Sequence, residues 1–546
     1  MTGLQASCFL IYYLGLALLL LVHVVGTVIA AVDFTRCLND IMVYSTVTEI
    51  LYRMFLMQHR SATRCAHPDV VTGKNLSSGL YFCKNSLPFG AQYRLDNLMS
   101  TVLTVGSPTL AGYSLFITLL NSRWIKRRFD HLVDYPNSRF ALSILSSLQQ
   151  VPLRLHPDRV RLPSLLVLPE NDSWWKCLAE FVDYTHTWSI ASATSIAWVV
   201  AAYIFTVANS LDINVAANGE ATGSMWLWLI PIVVGWLQLS PKCDFNRLQA
   251  AYDRADRHSM RTETADIRAG MLPASFRRAL AITAKEEDVM SPDELLTPPV
   301  FNYSRSLRWA STAETIFMVF KVASEKAHSH LPVCGSDRAE SDITIESRHL
   351  HDVAVYCAQL NGMQSSHWAP GVFTRMVIAS CASLALQWGT VGAAFMATWF
   401  SPTTGMGCRS MSYLLYGAIS TLIWMMLLMS SILAHSSAAD PRQVSPSARV
   451  TLAFSHVLRW TGKSLALLNF FLAIMACVFH YSNFYDTCYC NSSVFSRRGA
   501  AYAVIIETTA QAAQAKAAWI GALVLACTSA SVFLGILNLL LDTLPS

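Results

Sequence analysis

Apolar residues in this chain come in long runs separated by polar stretches, and the runs outlast the strands and core helices of a water-soluble fold. A hydrocarbon core about 30 Å thick takes roughly 20 helical residues to cross. Windows of about that length mark eight expected spans: Cys8 to Val32, Leu98 to Leu120, Trp188 to Leu211, Met225 to Leu239, Val372 to Phe400, Tyr413 to Leu433, Ser464 to Tyr481 and Ala517 to Leu541. The first is longer than the roughly 7–15 apolar residues of a signal peptide and lacks a basic leader, so it is expected to be retained. In the second, Gly106-Ser107-Pro108 predicts a kink. The fourth is short and contains Pro231, while Trp226, Trp228 and Trp236 suit membrane interfaces. The expected fold is an all-α integral membrane protein, a bundle of about eight transmembrane helices with amphipathic cytoplasmic helices.

Basic residues orient the spans. Arg123, Lys126, Arg127 and Arg128 follow the second span at once and assign its end to the cytoplasm. Alternation then divides the chain. Residues 1–32 are the first span and 33–97 an outer, cysteine-bearing loop. Residues 98–120 are the second span and 121–187 a cytoplasmic loop. Residues 188–239 hold the third and fourth spans, with 212–224 outside, and 240–371 form a long cytoplasmic loop. Residues 372–433 hold the fifth and sixth spans around an outer 401–412, and 434–463 return to the cytoplasm. Residues 464–541 hold the last two spans around an outer loop at 482–516. Inner loops carry 28 Lys and Arg against 11 in outer ones. Both termini are expected in the cytoplasm of a plasma-membrane or other secretory-pathway protein.

The inner loops have patterns of their own. Phe140, Ile144, Leu148 and Val151 in 138–151 recur at helical spacing, as do Trp309, Ile316, Phe317, Phe320 and Ala323 in 306–325. Both stretches predict amphipathic helices. Ser291-Pro292 and Ser445-Pro446 look like helix starts. Residues 327–347 read as a tether. From Ala500 to Trp519 there is no Gly or Pro, so one long helix is expected over 500–541.

Composition supports a lipid-embedded chain. Of 546 residues, 14% are charged, against roughly 25% in soluble proteins, and mean hydropathy is +0.37. The net charge of +5 follows topology, so no nucleic-acid partner is indicated. The sequons at Asn75 and Asn491 fall in outer loops and are expected glycosylation sites, whereas Asn171 and Asn302 begin sequons on the inner side. Cys37, Cys65, Cys83, Cys408, Cys488 and Cys490 face an oxidising compartment in this topology and are disulfide candidates, with Cys65–Cys83 the favoured pair.

Chemistry is sparse. The chain has no GxSxG, HExxH, P-loop or Rossmann pattern. Glu180, Asp183 and His186 precede the third span, but beside Trp174, Trp175 and Trp188 they read as interfacial residues. His349, His351, Asp352, Cys334 and Cys357 match no zinc spacing. No catalytic residue, cofactor or metal is assigned. The spans look nearly free of charge, with Arg375 placed to snorkel. Gln387 and Asn469 are the central polar residues, expected to make interhelical hydrogen bonds or substrate contacts. Gly389, Ala393 and Ala397, and Ala522, Ala526 and Ala530, mark close-packing faces, within the chain or between copies.

Several strings resemble a widespread family of fungal multi-pass membrane proteins of unknown function. They are Gly106-Ser107-Pro108 with Ala111-Gly112-Tyr113-Ser114, Tyr135-Pro136-Asn137-Ser138-Arg139, Ser146-Ser147-Leu148-Gln149-Gln150-Val151-Pro152, Tyr184-Thr185-His186-Thr187-Trp188-Ser189, and Gly407-Cys408-Arg409-Ser410 before Tyr416-Gly417. The resemblance implies a fungal origin and a membrane location, with no activity. The expected function is non-enzymatic: partner binding, with a cytoplasmic protein docking through 242–370, or ligand sensing. A channel or facilitator for a neutral or apolar solute is the alternative, and a membrane-embedded enzyme the third reading. A solid bundle over a folded inner layer would favour the first, and a polar cavity near Gln387 or Asn469 the second.

Overall fold

In the computed structural model the described residues are 94–130, 135–155 without 152, 172–182, isolated positions within 196–204, 222–240, 242, 248, 250–255, 280–282, 300–328, 368–437 without 402–403, 446–481, 485, 495 and 509–541. Helix α1 (Arg94–Gly106) is followed after one residue by α2 (Pro108–Phe129). Then come α3 (Ser138–Ser147), β1 (Leu153–Leu155), α4 (Asp172–Val182), α5 (Thr222–Trp226), α6 (Leu229–Leu239), β2 (Leu280–Ile282), α7 (Ser306–His328), α8 (Val372–Trp399), α9 (Cys408–Ser437), α10 (Pro446–Tyr481) and α11 (Thr509–Leu541).

Among the described residues four helices, α8 to α11, are long and apolar enough to cross a membrane, and the pair α1–α2 adds a fifth only if it counts as one span. The expected eight are therefore not reached. The first and third expected spans lie outside the described residues, apart from isolated positions in 196–204. The second is not one kinked rod: α1 and α2 meet at 103°. Ser107 leaves the helical conformation and its hydroxyl accepts from the Leu110 amide, while Pro108 takes the first helical position, which needs no N–H donor. Two helices therefore form in place of one. The fourth is a short apolar segment, Gly223–Leu239, interrupted by a turn at Leu227–Trp228. Trp228 and Trp236 face inward rather than toward the outer surface of the bundle. Both are wholly buried, so their rings contribute to packing inside the molecule.

The remaining helices alternate in direction. Trp368, just before α8, packs 4.7 Å from His435 near the end of α9, which defines a near end. The Tyr485 hydroxyl beyond α10 lies 3.1 Å from Ser412 at the start of α9, which defines a far end. There, the Trp519 indole of α11 donates to the Ala397 carbonyl at 3.0 Å. The α5–α6 segment runs from Trp226, bonded to the Cys477 thiol toward the far end, to the chain around Tyr252, which packs on Trp174 at the near end. The expected packing stripes of α8 and α11 lie in one interface within the chain. Gly389 approaches Ser529, and Ala393, Ala522 and Ala526 are buried.

Helix α10 extends beyond the expected seventh span, back into segment 434–463. It starts at Pro446, as the Ser-Pro signal indicates, but it is continuous with the span and qualifies over Pro446–Phe479. Its first half is polar inside and apolar outside. Ser455, Arg459 and Lys463 are buried, while Val450, Phe454 and Val457 are 55–70% exposed. The Arg459 Nε donates to Ser430 Oγ on α9 at 3.1 Å. Cations on apolar helices turn to the bundle interior, as Arg459 and Lys463 do in the first half of α10.

A folded layer caps the near end. The end of α2, α3, α4, α7 and a two-stranded antiparallel ribbon, β1–β2, pack together. The ribbon, three residues on each strand, is a small addition to an otherwise all-helical fold among the described residues. Helix α7 buries the expected face: Trp309, Ile316, Phe317, Phe320 and Ala323 are all 5% exposed or less. Phe129 meets Phe317 and Phe320 edge-on, and Trp175 packs on Phe320. Trp174 and Trp175 are buried in this core. Helix α11 runs unbroken through Ala510–Ala515 from Thr509, with 500–508 outside the described residues.

Candidate functional site: the broken helix and the joint beneath it

The break at Ser107 leaves two helix ends inside the bundle, with amides unpaired at the start of α2 and carbonyls unpaired at the end of α1. The sequence supplies a matching group to each. Gln387 of α8 is wholly buried, and its Oε1 accepts from the Thr109 amide at 3.2 Å and from the Thr109 and Ser420 hydroxyls. Its Nε2 donates to the Gly417 carbonyl at 2.9 Å and to Thr421 Oγ1 at 3.1 Å. Asn469 of α10 is also wholly buried, and its Nδ2 donates to the Gly106 carbonyl at 2.7 Å and the Tyr416 carbonyl at 3.1 Å. The Tyr416 hydroxyl donates to the Val105 carbonyl at 2.6 Å, and Ser107 Oγ donates to the Ser420 carbonyl at 3.0 Å.

An oxygen therefore faces the positive end of α2, and amide hydrogens face the negative end of α1, as the helix dipoles require. The two carboxamides singled out in the sequence meet around one feature. Their hydrogen-bonding groups are turned to helix ends and to α9, not to an open space; only Asn469 Oδ1 has no partner among the described residues. Gly106 makes the closeness possible, since a Cβ there would lie 2.3 Å from the Ala466 carbonyl oxygen. Ser107, Thr109, Tyr416, Ser420 and Thr421 were not singled out beforehand. Small hydroxyls in an apolar run carry no signal until the partner helix is known.

A second polar cluster joins the bundle to the layer. Arg375 does not snorkel. It is 7% exposed, its Nε donates to Asn121 Oδ1 at 3.0 Å, its Nη1 donates to the Pro370 carbonyl at 3.1 Å, and its guanidinium lies 4.1 Å from the centre of the Trp124 ring. Trp124 also packs edge-on against Trp309 of α7, whose indole donates to the Leu145 carbonyl. Glu314 of α7 sits 3.3 Å from Arg128 of α2. Burial pushes the Glu314 carboxyl above its usual range, against the pull of Arg128, Arg375 and Lys321. A turn higher on α2, Thr118 receives the Asn302 amide at 3.1 Å and gives its carbonyl to Gln149 Nε2 at 3.1 Å. Asn302 is wholly buried, so a glycan there is incompatible with this packing.

Of the other sequence candidates, Asn75, Asn491, Cys37, Cys65, Cys83, Cys488 and Cys490 lie outside the described residues, as do Asp183, His186, His349 and His351. Cys408, at the far end, is engaged in a disulfide. Glu180 points outward from α4. Among the described residues no three His, Cys, Asp or Glu side chains are grouped to hold a metal. No protein-family profile, curated protein or solved structure matches this chain.

Proposed function

We propose that the chain is a non-enzymatic integral membrane protein whose near-end layer binds a partner or transmits the presence of a ligand. The observation that carries this reading is the use made of Gln387 and Asn469. The most central carboxamides close the ends of a broken helix, and the bundle around them is packed. A carrier or pore needs such groups turned toward a pathway. The layer formed by the end of α2, α3, α4 and α7 supplies a folded surface for a binding face. The break itself favours the second reading, a facilitator of neutral solutes, because discontinuous helices form the sites of many carriers.

One experiment separates the two. A photo-crosslinking residue at Lys321 or Glu325, both exposed on α7, should give a discrete adduct in native membranes, with none from Val524 or Leu539 on the outer surface of α11. In parallel, vesicles holding the purified protein should reswell in glycerol or urea no faster than empty vesicles. Faster reswelling without a layer adduct would overturn the proposal.

The same proposal places the near end in the cytoplasm, and with it both termini, the eight-span count and glycans at Asn75 and Asn491. Support comes from the basic end of α2 at the near end, and from the Cys408 disulfide together with Tyr485 and Phe495, the described neighbours of Asn491, at the far end. We propose equally that the chain belongs to the fungal multi-pass family and that Cys65 pairs with Cys83.

A further inference from the structure

The joint between α7 and the bundle has a polar arrangement that is incomplete in a specific way. Glu314 is the acid facing it, and the carboxylate is only half compensated: Oε1 is 3.3 Å from Arg128 Nη2, while Oε2 is buried with no hydrogen-bond partner among the described residues. Its one close cation is a weak partner, because the Arg128 side chain is 33% exposed and screened by water. The other guanidinium is held by groups that do not include Glu314. Arg375 is held by Asn121, the Pro370 carbonyl and the Trp124 ring, and its Nη2 is also buried without a hydrogen-bond partner among the described residues. Protonating Glu314 removes none of these three contacts, although it weakens the attraction to Arg375, whereas the anion keeps a buried carboxylate oxygen without a donor. Such an oxygen costs more as an anion than as part of a neutral acid.

We propose that Glu314 is a proton-binding site that tightens the docking of α7 onto the bundle when it is occupied. The inference stands on the geometry of the joint and does not depend on what the layer binds. The charged groups facing Glu314 are Arg128 from α2, Arg375 from α8 and Lys321 from its own helix. Helix α9 also touches α7, and its titratable side chain at that end, His435, packs on Trp368. Arg305 precedes α7 by one residue, roughly 14 Å along the helix from Glu314. Burial raises the Glu314 pKa above its ordinary 4.5 in the docked layer. A group with a raised pKa stabilises the docked state below its ordinary pKa, and that stabilisation is lost as pH rises through the raised value. The layer is thus tightest in acid. Between the two pKa values docking weakens by up to about tenfold per pH unit.

Hydrogen exchange of the full chain in detergent or nanodiscs tests this. Protection of peptides from 306–328, corrected for intrinsic exchange, should fall as pH rises through the Glu314 window, while peptides from α8 hold theirs. Glu314→Gln, which keeps the shape and removes the charge, should stay protected across the whole range. Protection that rises with pH, or a wild type and a Glu314→Gln variant with the same pH course, would overturn the proposal. The wild-type pH course decides the matter even if the variant fails to fold.

Discussion

Gly106 shows how one residue type positions the central polar cluster. Its missing Cβ lets the end of α1 lie against the backbone of α10, and Asn469 reaches the Gly106 carbonyl only at that distance. A methyl group there would meet the Ala466 carbonyl oxygen at 2.3 Å, and backbone cannot swing aside as a side chain can. Gly106→Ala should therefore lower stability by about 1–3 kcal/mol, the usual range for overpacking, read as an earlier unfolding transition of the purified protein. Gly521→Ala is the matching control, because nothing lies within 4 Å of a Cβ there. It should be neutral or stabilising by up to about 1 kcal/mol. Equal effects at the two glycines would contradict the packing described. That Gln387 and Asn469 matter was legible from the sequence, since strong polar groups are rare in apolar runs. That each serves one end of the same break was not, because the pairing spans 278 residues between Thr109 and Gln387 and 363 between Gly106 and Asn469.

Elements were legible where a single physical requirement dominates. Helices α8, α9 and α11 coincide with their expected spans because a continuous apolar run needs lipid along its whole length. Amphipathic α7 was legible for the same reason in its own setting: one apolar stripe must be covered. The errors fall where two requirements compete. Arg449, Arg459 and Lys463 lower the hydropathy of the first half of α10, so the apolar window marks only Ser464–Tyr481 of a longer helix. The structure turns Arg459 and Lys463 inward, and window averages carry no information on facing. Tryptophans suit both an interface and a core, and Trp174, Trp175, Trp228 and Trp236 all went to the core. Gly-Ser-Pro signals a bend without its size. The pairing of Leu153–Leu155 with Leu280–Ile282 involves three residues on each side, too few to show a strand period.

For the whole molecule, the near end gathers the end of α2, α3, α4, α7 and the end of α9, while the far end gathers the starts of α9 and α11. Which end meets the cytoplasm decides the glycans. Glycan mass on a gel should be lost in Asn491→Gln and unchanged in Asn302→Gln, whose wild-type side chain is wholly buried beside Thr118. Loss in Asn302→Gln alone would reverse the ends. The central claim is that the bundle is closed around its broken helix, and cysteine accessibility tests it most directly. Single cysteines placed at Ser107, Thr109 and Ser420 in sealed vesicles should resist a membrane-impermeant thiol reagent applied from either side. A cysteine at Lys321 should react from one side only, with the native cysteines as background. Labelling of the three central positions from the water on either face would mean that Gln387 and Asn469 line a pathway, and would contradict the closed bundle.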